Sequence, residues 1–260
     1  MNPFRRRSQT AMQSGGGAAA FSPTDIAGLK EFLLSTRITG LNDGDAVATW
    51  SDLSGTSNDA TQGTAAFRPI YKTSQLNGRP CVRFDGVNDW LTYANTIFTF
   101  TGAGTVFALV RVNGTVASGY GAVLAAHGGV DASLGLTVQH FPDNAVEFCT
   151  DVYEPGGMRY NTTQSTGTWY LVTWTWSNWS THKTNGNTKI RVDGVDGSIA
   201  AYGGTPASLT TTVRAIGAAG DGGGNSFMNG DLGALLAYDV QLTAGQISQV
   251  EDYINAEFGR

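Results

Sequence analysis

The sequence predicts an all-β domain, a sandwich of two antiparallel sheets with a short C-terminal helix and an extended N-terminal arm, and three observations carry that expectation. Composition is the first: 260 residues include 35 glycines, with 10% aromatic and only 14% charged side chains. That mixture suits many short strands joined by tight turns better than long helices or a disordered polyampholyte. The second is the stretch Arg79 to Leu91, where Val82 and Phe84 alternate with Cys81 and Arg83 at the two-residue period of a half-buried strand. Asp85-Gly86 then supplies turn chemistry, and Trp90-Leu91 restarts the apolar pattern, so the stretch reads as two short strands joined by a glycine turn. The third is the recurrence of short apolar runs between Gly, Asn and Pro breaks along the rest of the chain. The length fits one β domain with a sizeable core.

The elements follow in order. Residues 1–22 form a basic, Gly/Ala-rich arm, with Arg5, Arg6 and Arg7 and no acid, then Ser14-Gly15-Gly16-Gly17-Ala18-Ala19-Ala20, and Ser22-Pro23 at the entry to the 23–260 body. This grammar is that of a tether. Pro23 to Leu29 predicts a short turn of helix, Phe32-Leu33-Leu34 a strand, and Thr39 to Asp45 a turn cluster leading into a strand over Ala46 to Trp50. Strands are predicted over Gly104–Val112, Ala122–Ala126, Leu134–Gln139 and Val146–Thr150. Thr168–Trp176 is expected to be the longest, paired with Lys189–Gly194. In that row Tyr170, Val172, Trp174 and Trp176 share a face and read as core. Thr243-Ala-Gly-Gln246 is a capping box, and Ile247, Val250 and Ile254 form the apolar stripe of a final helix.

Read together, three segments resemble the concanavalin A-like lectin/glucanase superfamily in its laminin-G-like version, common in bacterial surface and bacteriophage proteins. The first holds Gly28-Leu29, then Trp50-Ser-Asp52-Leu-Ser54-Gly55 and Asn58-Asp59-Ala60. The second is Phe84-Asp85-Gly86-Val-Asn-Asp89-Trp-Leu91. The third is Phe227-Met-Asn-Gly230-Asp231 continuing to Tyr238-Asp239 and Leu242. The resemblance implies a jelly-roll sandwich in which Trp50, Asp52, Phe84, Asp85, Gly86, Asp89, Gly230, Asp231, Tyr238 and Asp239 are structural motif positions. It names no ligand.

Chemistry is sought next, beginning with hydrolysis. Glucanases of this superfamily set acids on one strand in an E-x-D-x-x-E pattern. That pattern is missing here, and the family's usual acid in the last motif is Ala234. Glu147 with Asp151 straddle a strand end, whereas Asp193 and Asp196 sit in a D-G-V-D-G turn that favours Asp for its own geometry. His127, His140 and His182 lack zinc spacing, and no G-x-S-x-G elbow occurs. No catalytic residue is therefore expected, and the protein is read as non-enzymatic. The resemblance implies a calcium ion at the sandwich rim, for which Asp151 and Asp221 are the candidates, although a plain glycine-rich loop is the preferred reading because no D-x-[DN]-x-[DN]-G loop is present. No other cofactor is expected. Cys81 and Cys149 fall on different predicted strands, and both a bridge and two free thiols fit, with free thiols preferred.

Sugars offer apolar C–H faces to flat rings and hydroxyls to polar groups, so aromatic residues in loops are the candidate ligand contacts. Tyr153, Tyr160, Trp179 and Asn225 are singled out on that ground. The net charge is −5, and three of the 16 basic residues lie in the arm, so the body is more acidic still and excludes a nucleic-acid partner. No apolar run reaches the roughly 18 residues of a membrane span. Ser8 to Gln13 interrupts any secretory signal. These readings converge on a virion structural protein of a bacteriophage, a capsid decoration or a minor capsid or tail subunit. Arg5, Arg6 and Arg7 would anchor it to a capsid or other virion protein, and homo-oligomers would display the lectin-like sandwich to glycans on host or environmental surfaces. The alternatives are a free or cell-surface carbohydrate-binding module and, further off, a diverged glycoside hydrolase.

Overall fold

A computed structural model describes residues 20–93, 102–114, 120–127, 133–140, 145–150, 158–160, 164–178, 187–197, 199–201, 213–218 and 227–260. A 3-10 turn at Pro23–Asp25 precedes β1 (Leu29–Leu34), and a second at Ser35–Arg37 precedes β2 (Thr49–Trp50) and β3 (Ala60–Thr61). After a third turn at Ala65–Phe67 come β4 (Ile70–Leu76), β5 (Arg79–Asp85), β6 (Leu91–Thr92), β7 (Gly104–Val112) and β8 (Tyr120–His127). The chain continues through β9 (Ser133–His140), β10 (Ala145–Thr150), β11 (Met158–Tyr160), β12 (Gln164–Ser165) and β13 (Trp169–Trp176). Last are β14 (Thr188–Val192), β15 (Val195–Asp196), β16 (Ile199–Ala201), β17 (Val213–Ile216), β18 (Asn229–Tyr238) and the helix α1 (Ala244–Phe258).

Among the described residues these strands form two antiparallel sheets. The first runs β15-β14-β13-β7-β18-β5-β4, with β1 also on β18, and the second runs β16-β11-β10-β9-β8-β17-β6-β3-β2, with β12 on β10. The sheets pack face to face, and α1 lies on the outer face of the first, giving three layers and two main apolar cores. Alternation explains the division. In β7, Val106, Ala108 and Val110 enter the core between the sheets, whereas Phe107 and Leu109 turn outward to meet Ile247, Val250, Ile254 and Phe258 of the helix. Both faces of β7 are buried, so its sequence reads as a continuous apolar run. Each of those helix side chains contributes about 2 kcal/mol by leaving water. The expected row on β13 is core: Val172, Trp174 and Trp176 are buried, with Tyr170 packed beside them.

The helix begins as the sequence requires. Thr243 accepts the Gln246 N–H and the Gln246 side chain accepts the Thr243 N–H, closing a capping box, and Gly259 ends the helix at a φ of 66°. Phe21 packs edge-on against Tyr253 of this helix, 6.4 Å between centroids, so the sandwich begins before Pro23.

Three sequence expectations are corrected. The turn at Asp85-Gly86 joins two strands, but they do not pair: β5 belongs to the first sheet and β6 to the second, so the motif is a crossing between layers. The strand expected over Ala46–Trp50 shrinks to β2, because the segment passes from one sheet edge to the other. Val47 N–H donates to Pro69, while Ala48 accepts from Gln62. The longest described strand is β18, with 10 residues, rather than β13 with 8. Its length follows from its central place, with β7 along one side and β5 then β1 in succession along the other.

Candidate functional site

The motif acids are explained first, since they decide what is left over for function. Asp52 accepts the N–H groups of Phe32 (2.9 Å), Ser54 (2.9 Å) and Asn58 (3.1 Å) and the hydroxyls of Ser54 (2.6 Å) and Thr56 (3.1 Å). Burial works against its charge, but the bonds from Ser54, Asn58 and Phe32 prevail and hold its carboxyl below the usual range. Asp59 in turn accepts the Asp52 N–H at 2.8 Å. Asp85 accepts three successive N–H groups, from Val87, Asn88 and Asp89, and Asp89 accepts the Asp85 N–H. Burial, then the Asp85 charge, pushes the Asp89 carboxyl up to about 7. Gly86 sits at a φ of 77° with Asn229 where a Cβ would stand, which is why glycine follows the aspartate. These carboxylates build loops.

The remaining motif residues brace the sandwich in the same way. Trp50 and Phe84 lie in the core between the sheets, and Tyr238 donates its hydroxyl to the Pro23 carbonyl at 3.0 Å. Asp239 pairs with Lys30 at 3.1 Å. Gly230 leaves no room for a Cβ beside the Arg111 carbonyl, 2.5 Å away, so β18 and β7 approach closely there. Asp231 is completely buried under Arg83 and Arg111. Ala234 is buried against the helix core, where a longer acid would displace apolar packing.

A pocket of about 240 Å³ opens at the sandwich edge beside β2, the last strand of its sheet. Ile38, Leu41, Ala46 and Ala48 supply its apolar wall, and the Arg37, Thr39, Thr49 and Ser51 side chains are its polar elements. Trp50 also lines it, and the buried Nε1–H of this indole has no hydrogen-bond partner. The loop that shapes the pocket is fixed from behind by the helix. Glu257 accepts the Thr36 hydroxyl at 2.6 Å and the Arg37 Nη2 at 3.0 Å. An apolar wall with hydroxyls and one guanidinium can offer a sugar ring both apolar contact and hydrogen bonds.

One acid was not foreseen. Glu31 shares its strand face with Leu33 because a bulge after Leu29 resets the alternation, and it points into the core between the sheets. It is 1% exposed, and neither carboxylate oxygen has a hydrogen-bond partner. Burial, then the charges of Asp52 and Asp59, pushes its carboxyl up to about 9. Buried this completely, it offers no surface to a substrate.

Of the residues marked in the sequence as ligand contacts, Tyr160 lies at the end of β11. Tyr153, Trp179 and Asn225, the metal candidates Asp151 and Asp221, and the anchoring Arg5, Arg6 and Arg7 all lie outside the described residues. Among the described residues no group of three or more His, Cys, Asp or Glu side chains is placed to hold a metal ion. Asp193 and Gly194 have φ of 49° and 77°, the signature of a two-residue type I′ turn between β14 and β15, and Asp196 follows the turn on β15 opposite Arg191. Cys81 is a free, buried thiol.

With this geometry in hand, the family model for the concanavalin A-like lectin/glucanases superfamily matches residues 85–248. The chain belongs to this family. No curated protein sequence matches it. Solved structures share the fold at low identity. Trypanosoma rangeli sialidase, in complex with 2,3-difluorosialic acid, has a TM-score of 0.57 at 17% identity over 89% of this chain and 34% of the sialidase. Domain 4 of AbnA, an extracellular arabinanase from Geobacillus stearothermophilus solved with arabinotriose, has a TM-score of 0.56 at 14% identity, covering 86% of this chain and 98% of that domain. The binding domain of Paraclostridial Mosquitocidal Protein 1 has a TM-score of 0.56 at 12% identity, covering 91% of this chain and 53% of the other. The chain thus spans about a third of the sialidase's length. Laminin-G-like domains therefore account for the sandwich and its motifs, and α1 closes the outer core of this one.

Proposed function

We propose that this protein is a non-enzymatic, carbohydrate-binding sandwich, displayed on a bacteriophage virion through its basic arm. The pocket beside β2 carries the binding half of the reading, because it joins an apolar wall, hydroxyls and a guanidinium within a lectin-like fold. The absence of catalysis is supported by the fate of the acids: Asp52, Asp59 and Asp85 are occupied by backbone N–H groups, and Glu31 is sealed in the core. The virion role is supported by the charge of the arm, three arginines followed by a small-residue linker, against an acidic body. Many weak sites on one particle would gain avidity. No metal is required for this role.

A second reading, a carbohydrate-binding module of a surface or secreted protein, is favoured by domain 4 of AbnA, which matches nearly end to end and was solved with arabinotriose.

Glycan-array binding tests the first half. Ala48→Phe should fill the pocket and abolish binding without lowering the melting temperature appreciably. Ser51→Ala should weaken binding about fivefold, the loss of one hydrogen bond of about 1 kcal/mol. Unchanged binding by both variants would discard the pocket as the site. Deleting residues 1–22 separates the two readings: loss of association with purified particles supports the virion role, and retained association refutes anchoring by the arm.

A further inference from the structure

One rung across the outer face of the first sheet reads Trp169, Arg111, Asp231, Arg83 on four neighbouring strands, β13, β7, β18 and β5. The side chains of a rung share a face, and this one spans about 14 Å. It lies just beyond the helix, since Leu171, Leu109 and Gly233, each two residues along on the same face, meet the helix core or Phe258 at its end.

Asp231 is completely buried and receives both arginines. Arg83 donates Nε to Oδ1 at 2.6 Å and Nη2 to Oδ2 at 3.1 Å. Arg111 donates Nε to Oδ2 at 2.8 Å and Nη2 to the same oxygen. Gln75 Oε1 accepts from both Nη2 groups, at 2.9 and 3.0 Å, and the Arg111 guanidinium lies 5.0 Å over the Trp169 ring. A single guanidinium fork neutralises a carboxylate and matches its geometry. The second therefore leaves a surplus of one positive charge, fixed in place by the amide and the indole. Neither arginine is sunk, for their side chains stay 31% and 17% accessible, and the network leaves both Nη1 groups unused.

We propose that this rung is a second binding site, specific for the carboxylate of an acidic saccharide such as a uronic or sialic acid. The outer edges of Arg83 and Arg111 take the carboxylate, and Trp169 is a positioning residue that holds Arg111 flat. The assignment of a saccharide, rather than another carboxylate, rests on the carbohydrate-binding reading above. It does not depend on the pocket beside β2.

The test uses the full chain on an array of uronic- and sialic-acid-terminated oligosaccharides, each printed also as its methyl ester, which keeps the ring and removes the charge. At least one acid should bind tenfold or more tightly than its ester, with the difference shrinking in high salt. Arg83→Gln and Arg111→Gln each keep one guanidinium on Asp231. Both should stay folded by circular dichroism and lose that tenfold preference. Trp169→Ala should reduce the preference partly. Equal binding of acid and ester by the wild type overturns the inference without reference to any variant. A preference that survives both Arg83→Gln and Arg111→Gln overturns it too. Binding of neutral glycans alone would spare the carbohydrate-binding reading and sink only this site, whereas binding of no glycan would sink both.

Discussion

Glu31 shows what a single residue contributes to the pH response of the whole protein. Its carboxyl titrates near 9 in the fold against an ordinary value of 4.5, so between those values the folded chain holds a proton that the unfolded chain releases. Stability from this group is fully present below pH 4.5 and is lost as pH rises toward 9, at ~1.4 kcal/mol per pH unit as an upper slope. Glu31→Gln keeps the shape and removes the titration. Thermal unfolding at pH 5 and 8.5 should show the variant more stable than wild type at the higher pH and less sensitive to pH overall. Identical pH profiles for the two proteins would mean that Glu31 is solvated. The sequence offered a signal for this residue, a lone acid in the run Leu29-Lys-Glu-Phe-Leu-Leu34, but the bulge that turns it inward depends on pairing with β18.

At the scale of elements, α1 depends on a local device and on the surface it covers. The capping box satisfies two N–H groups that a helix otherwise leaves to solvent. Thr243→Ala should cost about 1 kcal/mol, read as a lower midpoint in urea with an unchanged slope. No loss would mean that packing alone sets the start of the helix. The box and the stripe of Ile247, Val250 and Ile254 were legible because both are properties of adjacent turns. The hairpin at Asn77-Gly78, with φ of 50° and 79°, was equally legible as an N-G turn between β4 and β5, but it was not foreseen. The crossing at Asp85-Gly86 could not be read locally, since the same turn chemistry serves a hairpin and a change of sheet.

For the whole molecule, the thiol of Cys81 reports global opening. Cys81 is 0% exposed, and burial, then the Asp231 charge, pushes its thiol far above the ordinary range. In a Cys149→Ser background no thiol should react with a chromogenic disulfide at neutral pH until the protein unfolds, when one should appear. Reaction in the native protein would show that the edge formed by β4 and β5 opens on its own.

The sequence by itself determined the β class, the tripartite motif, the core row on β13 and the capped final helix, because periodicity, turn chemistry and capping act over a few residues. It also carried the family through Trp50, Phe84 and Gly230. Only the tertiary structure decided that Arg83 and Arg111 meet at Asp231, 148 and 120 residues away along the chain. It decided too that Glu31 faces inward and that Arg37, Ala48 and Ser51 meet around one pocket. Such meetings follow from sheet order and register, which emerge only when both cores close at once, and no local pattern in the chain encodes them.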